Sequence, residues 1–144
     1  MRVARVFVDT GAWFAVQATD DRHHKTARAI FAQLLAAGTA LIVSNAVIGE
    51  TYTLLRVSRG YREAKRFLDI VAQSRQIERR FVTEALERKA YEILEGFADH
   101  PFSFVDATSF ALMREECIQH AFAFDAHFAT AGFLPIPQDV RLIT

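Results

Sequence analysis

Four carboxylates in this sequence stand where the strands of a parallel sheet would bring them together. Asp9 and Asp125 each directly follow a short apolar run, and Glu50 lies in the second turn of a helical segment after another such run. Asp106 falls in the first turn of a further helical segment. In open α/β sheets, ligand sites lie outside the carboxyl ends of the strands. We therefore predict that these four acids meet at one edge of a sheet.

The types of these residues favour a site for a hard divalent cation. Taken singly, each Asp is typical of a helix cap, and Ser103 with Asp106 has the form of a capping box. Glu50 shares an apolar helix face with Val47 and Leu54, where a buried carboxylate needs a partner. Converging carboxylates repel one another unless a cation neutralises them. Oxygen ligands without paired His or Cys favour Mg²⁺ or Mn²⁺ over zinc.

Such a cluster suits metal-dependent hydrolysis of phosphodiester bonds. One or two ions, about 3.5–4 Å apart if two, would polarise the phosphoryl oxygens and lower the pKa of a water. A carboxylate that is not fully engaged would orient or deprotonate that water. Two rival chemistries lack their residues: Gly11 stands where a haloacid dehalogenase has its second Asp, and there is no Walker A loop.

The elements that must position these acids alternate between strand and helix. Strands are predicted over residues 3–8, 41–43, 77–82 and 120–124, with an edge strand at 141–143. Helices are predicted over residues 13–16, from 20–21 to 35, from 45, over 61–74, 85–97 and 103–118, and briefly from 125. In the helix that begins at 45, the predicted inward face is Ala46, Val47, Glu50, Leu54 and Val57. This alternation predicts an α/β fold, a single three-layer α/β/α domain over residues 1–144 with a central, mostly parallel sheet.

The composition is that of one folded domain. The chain has 144 residues, of which 51% are hydrophobic and 24% charged, and this excludes disordered and low-complexity classes. Its single cysteine, Cys117, excludes an intrachain disulfide and a Cys-based zinc cluster. The uncharged stretch over residues 29–49 is interrupted by polar residues, so we expect a cytoplasmic protein outside the membrane.

Charges and side chains outside the acidic cluster receive no site role. The formal net charge is zero, but residues 56–80 carry eight Arg or Lys against three acids. That excess would suit RNA phosphates, although solvated helix faces look the same. Among the histidines, His23 and His24 are expected to face solvent, and His120 and His127 are too far apart for one-turn metal ligation. Trp13 is expected in the core.

Four segments carry a resemblance to a known family. They are VFVDTGA at 6–12, NAVIGE at 45–50, FVDA at 104–107 and AFDAHF at 123–128. In this order and at these spacings they resemble PIN-domain ribonucleases. Within that family the VapC-like toxins of prokaryotic toxin–antitoxin systems are the most similar group. The resemblance runs from about residue 3 to residue 132, which is nearly the whole chain.

The resemblance implies a Mg²⁺- or Mn²⁺-dependent endoribonuclease. The catalytic and metal-binding acids of the family correspond to Asp9, Glu50, Asp106 and Asp125, with Asp9 and Asp106 holding the principal ion. The family's hydroxyl after the first Asp corresponds to Thr10, which would assist from behind the ligands. Many members have Ser or Ala where this chain has Gly11, so a second hydroxyl contact is not expected.

The resemblance also implies partners. Members commonly form homodimers, and a small antitoxin protein holds them inactive through a C-terminal segment that covers the active-site groove. The expected substrate is a single-stranded region of tRNA, rRNA or mRNA. Two alternatives stay open: a non-catalytic PIN-fold module that binds RNA or protein, and a housekeeping RNA-processing nuclease without an antitoxin. Four mutually repelling carboxylates argue against the first of these.

Overall fold

The computed structural model describes residues 3–138, and in that part of the chain five strands alternate with seven helices. The strands are β1 (Arg5–Val8), β2 (Ala40–Ser44), β3 (Ile77–Arg80), β4 (His120–Phe122) and β5 (Leu134–Ile136). The helices are α1 (Thr10–Gln17), α2 (His24–Ala36), α3 (Asn45–Arg59), α4 (Tyr61–Gln73), α5 (Glu84–Gly96), α6 (Phe104–Glu115) and α7 (His127–Thr130).

All five strands are parallel and lie in the order β3-β2-β1-β4-β5, which confirms the predicted α/β/α class. The central strand β1 has no exposed surface at Val6, Phe7 or Val8, because helices cover both faces of the sheet. From β1 the chain builds outward to β2 and β3 on one side, and later to β4 and β5 on the other. The strand order therefore reverses between β1 and β4, where open sheets hold their ligands.

Buried aromatic side chains fill the space between sheet and helices. Trp13 is 2% exposed and meets Phe31 and Phe67 edge-on, which confirms its predicted place in the core. On α6 the buried ring of Phe110 meets Phe128 edge-on at 5.0 Å between ring centroids. These contacts fix the helices that carry the candidate site against the sheet.

Side-chain caps start three helices where the sequence predicts a helix start. Ser44 Oγ accepts a hydrogen bond from the Val47 N–H at the start of α3. Thr83 Oγ1 accepts one from the Leu86 N–H at the start of α5. Ser103 caps α6 in a complete capping box. A side-chain oxygen that takes an otherwise unpaired backbone N–H defines where a helix begins, so this signal is readable from local sequence.

Several predicted boundaries are wrong. Helix α2 begins at His24 rather than at residues 20–21, because Asp21 Oδ2 accepts the His23 N–H and holds a turn there. Helix α7 begins at His127 rather than at Asp125, and α1 is a turn longer than predicted. Strand β4 ends at Phe122, and β5 was missed because Pro135 interrupts its pattern. The edge strand predicted at 141–143 lies outside the described residues.

The inward face predicted for α3 is also wrong. The buried stripe of this helix is Val47, Thr51 and Leu55. Glu50 is exposed, Leu54 is 43% exposed and Val57 is 82% exposed. Apolar residues occupy two adjacent stripes of α3, and periodicity alone does not tell which stripe the same chain covers. Glu50 is therefore not the buried carboxylate that the sequence suggested.

His23 is buried rather than facing solvent, and this prediction too is wrong. Its ring stacks on Phe124, with centroids 4.3 Å apart and planes 6° from parallel. His24 is half-buried, and its Nδ1 lies 2.7 Å from the carbonyl oxygen of Ala15. Among the described residues, no helix combines the length and the apolar character needed to cross a membrane.

Candidate active site

Asp9 lies at the junction of β1 and α1, where the strand order reverses. Its backbone N–H donates to the Phe122 carbonyl oxygen at 3.0 Å, which ties the carboxyl ends of β1 and β4 together. The residue is 4% exposed, and its carboxylate makes no capping hydrogen bond to α1. The helix-cap role that suits an isolated Asp therefore does not account for this buried carboxylate.

Asp106 belongs to the capping box predicted for α6. Its backbone N–H donates to Ser103 Oγ at 2.9 Å, and its Oδ2 accepts the Ser103 N–H at 2.9 Å. The residue is 8% exposed. Because the capping box uses Oδ2, Asp106 is able to cap α6 and still offer Oδ1 to a cation.

Asp125 meets Asp106 through His127, a residue to which the sequence analysis assigned no role. Asp125 Oδ1 accepts the His127 N–H at 2.9 Å, and the ring Nδ1 of His127 lies 2.9 Å from Asp106 Oδ2. Potential ligand atoms of these three residues all lie within 4.8 Å of one another. The spacing Asp-x-His after a buried strand was the available signal, since an Asp side chain readily bonds the N–H two residues on.

Glu50 reaches the site from its open side. It lines a groove of about 670 Å³ together with Val105, the residue before Asp106. Ala46, Leu54 and Val57 on α3 form the apolar wall of this groove. The exposed position of Glu50 differs from the buried positions of Asp9 and Asp106, although its negative charge is close enough to act on Asp9.

The electrostatics show that these acids converge. Burial raises the pKa of Asp9 well above its usual range, and the charges of Asp125, Asp106 and, more weakly, Glu50 raise it further. An interaction with the Thr10 N–H offsets part of this increase in the pKa. Burial also raises the pKa of Asp125, and the charge of Asp106 adds to that effect. Mutual repulsion of this kind is what a cation would relieve.

The donor set of this edge fits a hard divalent cation. Thr10 Oγ1 is buried beside Asp9 and has no hydrogen-bond partner among the described residues. The residues that the structure brings together offer carboxylate oxygens from three helix or strand ends, and such oxygens are the ligands of Mg²⁺ and Mn²⁺. Of the predicted site residues, Asp106 and Asp125 have ligand atoms within 4.8 Å of each other, and Asp9 is close enough to feel the charges of both. Glu50 stands apart, exposed on the wall of the groove.

A profile of the PIN domain family matches residues 6–134, nearly the whole of the described chain. The chain belongs to the PIN domain family. The predicted family and the predicted enzyme class, a nuclease, are confirmed.

Within the PIN domain family, the chain is similar to VapC20 toxins. The chain is 40% identical over 131 residues to the 23S rRNA-specific endonuclease VapC20 of Mycobacterium tuberculosis, strain CDC 1551 / Oshkosh. It matches VapC20 of strain ATCC 25618 / H37Rv equally, with 91% of this chain and 97% of the relative aligned. The crystal structure of Mycobacterium tuberculosis VapC20, described as a sarcin–ricin loop cleaving toxin, superposes with a TM-score of 0.80. That superposition covers 89% of this chain and 95% of VapC20.

Proposed function

We propose that this PIN domain protein is a divalent-metal-dependent endoribonuclease that cleaves 23S rRNA at the sarcin–ricin loop, as the toxin of a toxin–antitoxin pair. The observation that carries the chemistry is the convergence of Asp9, Asp106 and Asp125 at one sheet edge, with the pKa values of Asp9 and Asp125 raised. The choice of RNA rests on the 40% identity to VapC20, which is named for that substrate. An rRNA substrate places the action of the enzyme in the cytoplasm.

We assign the metal-binding roles of the acids according to how deeply each is buried. Asp9 and Asp106 are buried, so we assign them the principal ion, while Asp125 adds an oxygen at the same edge. Thr10 would not bind the ion directly but would support its ligands through the buried hydroxyl. A bound Mg²⁺ or Mn²⁺ supplies polarisation of the scissile phosphate and lowers the pKa of a water.

Glu50 is assigned a role toward the substrate. It is exposed on the wall of the groove, so its carboxylate is able to accept a proton from the attacking water or to orient it. Attack by a water in place of the 2′-hydroxyl breaks the bond between phosphorus and the 3′ oxygen. The products expected are therefore a 5′-phosphate and a 3′-hydroxyl end.

The groove beside Glu50 also suits a protein partner. Leu54 and Val57 present apolar surface next to the acids, and a short amphipathic segment would cover that surface and block the site. We assign this place to the C-terminal segment of a cognate antitoxin. A homodimer of this chain, as is common in the family, completes the proposed assembly.

The test is cleavage of 23S rRNA in purified 50S subunits, with ends mapped by primer extension. Reactions contain Mg²⁺, Mn²⁺ or EDTA, and compare the wild-type protein with Asp9→Asn and Glu115→Gln. Asp9→Asn removes the charge of a buried acid that makes no capping hydrogen bond to α1, while Glu115 lies in the last turn of α6, near the other end of that helix from Asp106. We expect one cut that needs the metal and Asp9 but not Glu115.

Three outcomes would contradict all or part of the proposal. Cleavage that persists in EDTA, or in the Asp9→Asn variant, would contradict the metal-dependent mechanism. A folded protein that binds 50S subunits with Mn²⁺ present but never cuts would favour the non-catalytic binding module. Cuts confined to tRNA or mRNA in a total RNA sample would keep the nuclease and overturn the rRNA assignment.

A further inference from the structure

His127 touches both carboxylates that the chain brings together from α6 and the end of β4. We propose that His127 is a positioning residue that fixes Asp106 relative to Asp125 and leaves one oxygen of each carboxylate free for the cation. This inference rests on the metal-dependent activity proposed above and deepens it. It assigns a role to a side chain outside the four acids and Thr10.

His127 makes one contact through its backbone and one through its ring. Its backbone N–H donates to Asp125 Oδ1 at 2.9 Å, and its ring Nδ1 lies 2.9 Å from Asp106 Oδ2. Asp106 Oδ2 also accepts the Ser103 N–H of the capping box. No described residue donates to Asp106 Oδ1 or to Asp125 Oδ2. One oxygen of each carboxylate is thus held by the protein, and the other is available.

The chemistry of the pair decides which atom donates. An ionised carboxylate only accepts hydrogen bonds, so His127 Nδ1 carries the hydrogen and Nε2 takes no part in the contact. The ring is held edge-on against Phe102 at 5.4 Å between centroids, and Phe102 meets the buried ring of Phe110 at 5.0 Å. Packing against these aromatic rings therefore restricts the orientation of the imidazole.

We assign the ligand role at this site to carboxylate oxygens and not to His127. Its Nδ1 is engaged with Asp106, and Mg²⁺ and Mn²⁺ prefer oxygen donors to imidazole. Groups that hydrogen-bond metal-ligating carboxylates orient them, and removal of such a group lowers metal affinity by about 10–100-fold. His127 fits that description at both of its contacts.

The experiment measures Mn²⁺ binding to the metal-free protein by the EPR signal of free Mn²⁺, without any RNA. His127→Ala removes the ring donor, His127→Asn replaces it with an amide N–H near the Nδ1 position, and His127→Gln places the amide too far out. His100→Ala is the matched control, because His100 also packs on Phe102 yet contacts neither Asp106 nor Asp125. Circular dichroism checks that each variant is folded.

We expect His100→Ala to bind Mn²⁺ as the wild-type protein does, and His127→Ala to bind about 10–100-fold more weakly. His127→Asn should recover most of the affinity and His127→Gln should not. Electron spin-echo spectra of the wild-type complex should show no directly bound nitrogen.

Equal Mn²⁺ affinity in His127→Ala and wild type would overturn the inference, as would a bound-nitrogen signal that disappears in His127→Ala. If His127→Ala does not fold, the Asn and Gln variants decide, and equal affinity in those two would overturn it. A wild-type protein that binds no Mn²⁺ at all would instead remove the proposed metal-dependent function, and the inference with it.

Discussion

At the scale of the residue, the buried carboxylate of Asp9 links function to stability. Its raised pKa means that the metal-free folded protein holds a proton more tightly than the unfolded chain does. The stability that this proton contributes is fully present below the unfolded pKa of about 3.9. It is lost as the pH rises through the raised folded pKa. At neutral pH, the burial of Asp9 beside other acids therefore lowers the free energy of unfolding of the metal-free protein.

We predict that Asp9→Asn raises the melting temperature of the metal-free protein at neutral pH by several degrees, with little effect near pH 4. The amide fills the same space but carries no charge to repel Asp106 and Asp125. Thermal unfolding in EDTA between pH 4 and pH 8 measures the effect. Asp69→Asn is the control, since Asp69 is half-exposed and paired with Lys65. A destabilised Asp9→Asn protein at neutral pH would contradict this account.

Added Mn²⁺ should reverse that order. A ligand that binds only the folded state stabilises it, and the stabilisation grows with the logarithm of the ratio of ligand concentration to dissociation constant. We predict that Mn²⁺ raises the melting temperature of the wild-type protein and of Asp69→Asn, but leaves Asp9→Asn unchanged. The same thermal scans with Mn²⁺ in place of EDTA measure this. An equal shift in all three proteins would place the ion away from Asp9.

At the scale of the element, the start of α6 serves both the fold and the site. Ser103→Ala removes the hydroxyl that accepts the Asp106 N–H and should cost about 1 kcal/mol in the free energy of unfolding. Thr83→Ala removes an equivalent cap from α5 and should cost a similar amount. We predict that only Ser103→Ala lowers Mn²⁺ affinity and RNA cleavage, because only that hydroxyl bonds the backbone of a site residue, Asp106. Denaturant unfolding and cleavage rates, measured together, separate the two effects.

Helix α1 offers a second test at this scale. A Cβ added at Gly11 would lie 3.9 Å from Asp9 Oδ2, an ordinary van der Waals distance. Ala is favoured over Gly inside a helix by about 1 kcal/mol. We predict that Gly11→Ala stabilises the protein by up to about that amount and leaves metal-dependent cleavage unchanged. A large loss of cleavage would indicate that the RNA backbone passes against Gly11.

At the scale of the whole molecule, residues of the apolar groove on α3 can be changed to test binding of a partner without affecting the stability of the fold. Val57 is 82% exposed, so Val57→Lys should change the free energy of unfolding by no more than about 0.5 kcal/mol. We predict that the same change releases the protein from inhibition by the proposed antitoxin. Cleavage is measured with increasing amounts of the proposed cognate antitoxin, and Glu92→Lys on the exposed face of α5 is the control. Unaltered inhibition of Val57→Lys would place the antitoxin elsewhere.

The local sequence determined much of the architecture. Ser44, Thr83 and Ser103 start their helices through hydrogen bonds that span three residues, so the caps were readable without knowledge of the fold. The apolar run at 3–8 predicted the strand β1, and the alternation of strands and helices predicted a mostly parallel sheet, in which all described strands prove to be parallel. Asp9 and Asp125 were predicted site residues because the ends of parallel strands share one edge.

Other features depended on which elements pack against each other, and only the tertiary structure decided them. Glu50 lies outside the core because Val47, Thr51 and Leu55, and not the neighbouring stripe, face the sheet. His23 is buried because Phe124, a hundred residues away along the chain, stacks on it. His127 joins Asp106 because β4 ends and α6 begins at the same edge of the sheet. Periodicity and spacing describe one segment at a time, and these contacts each require two.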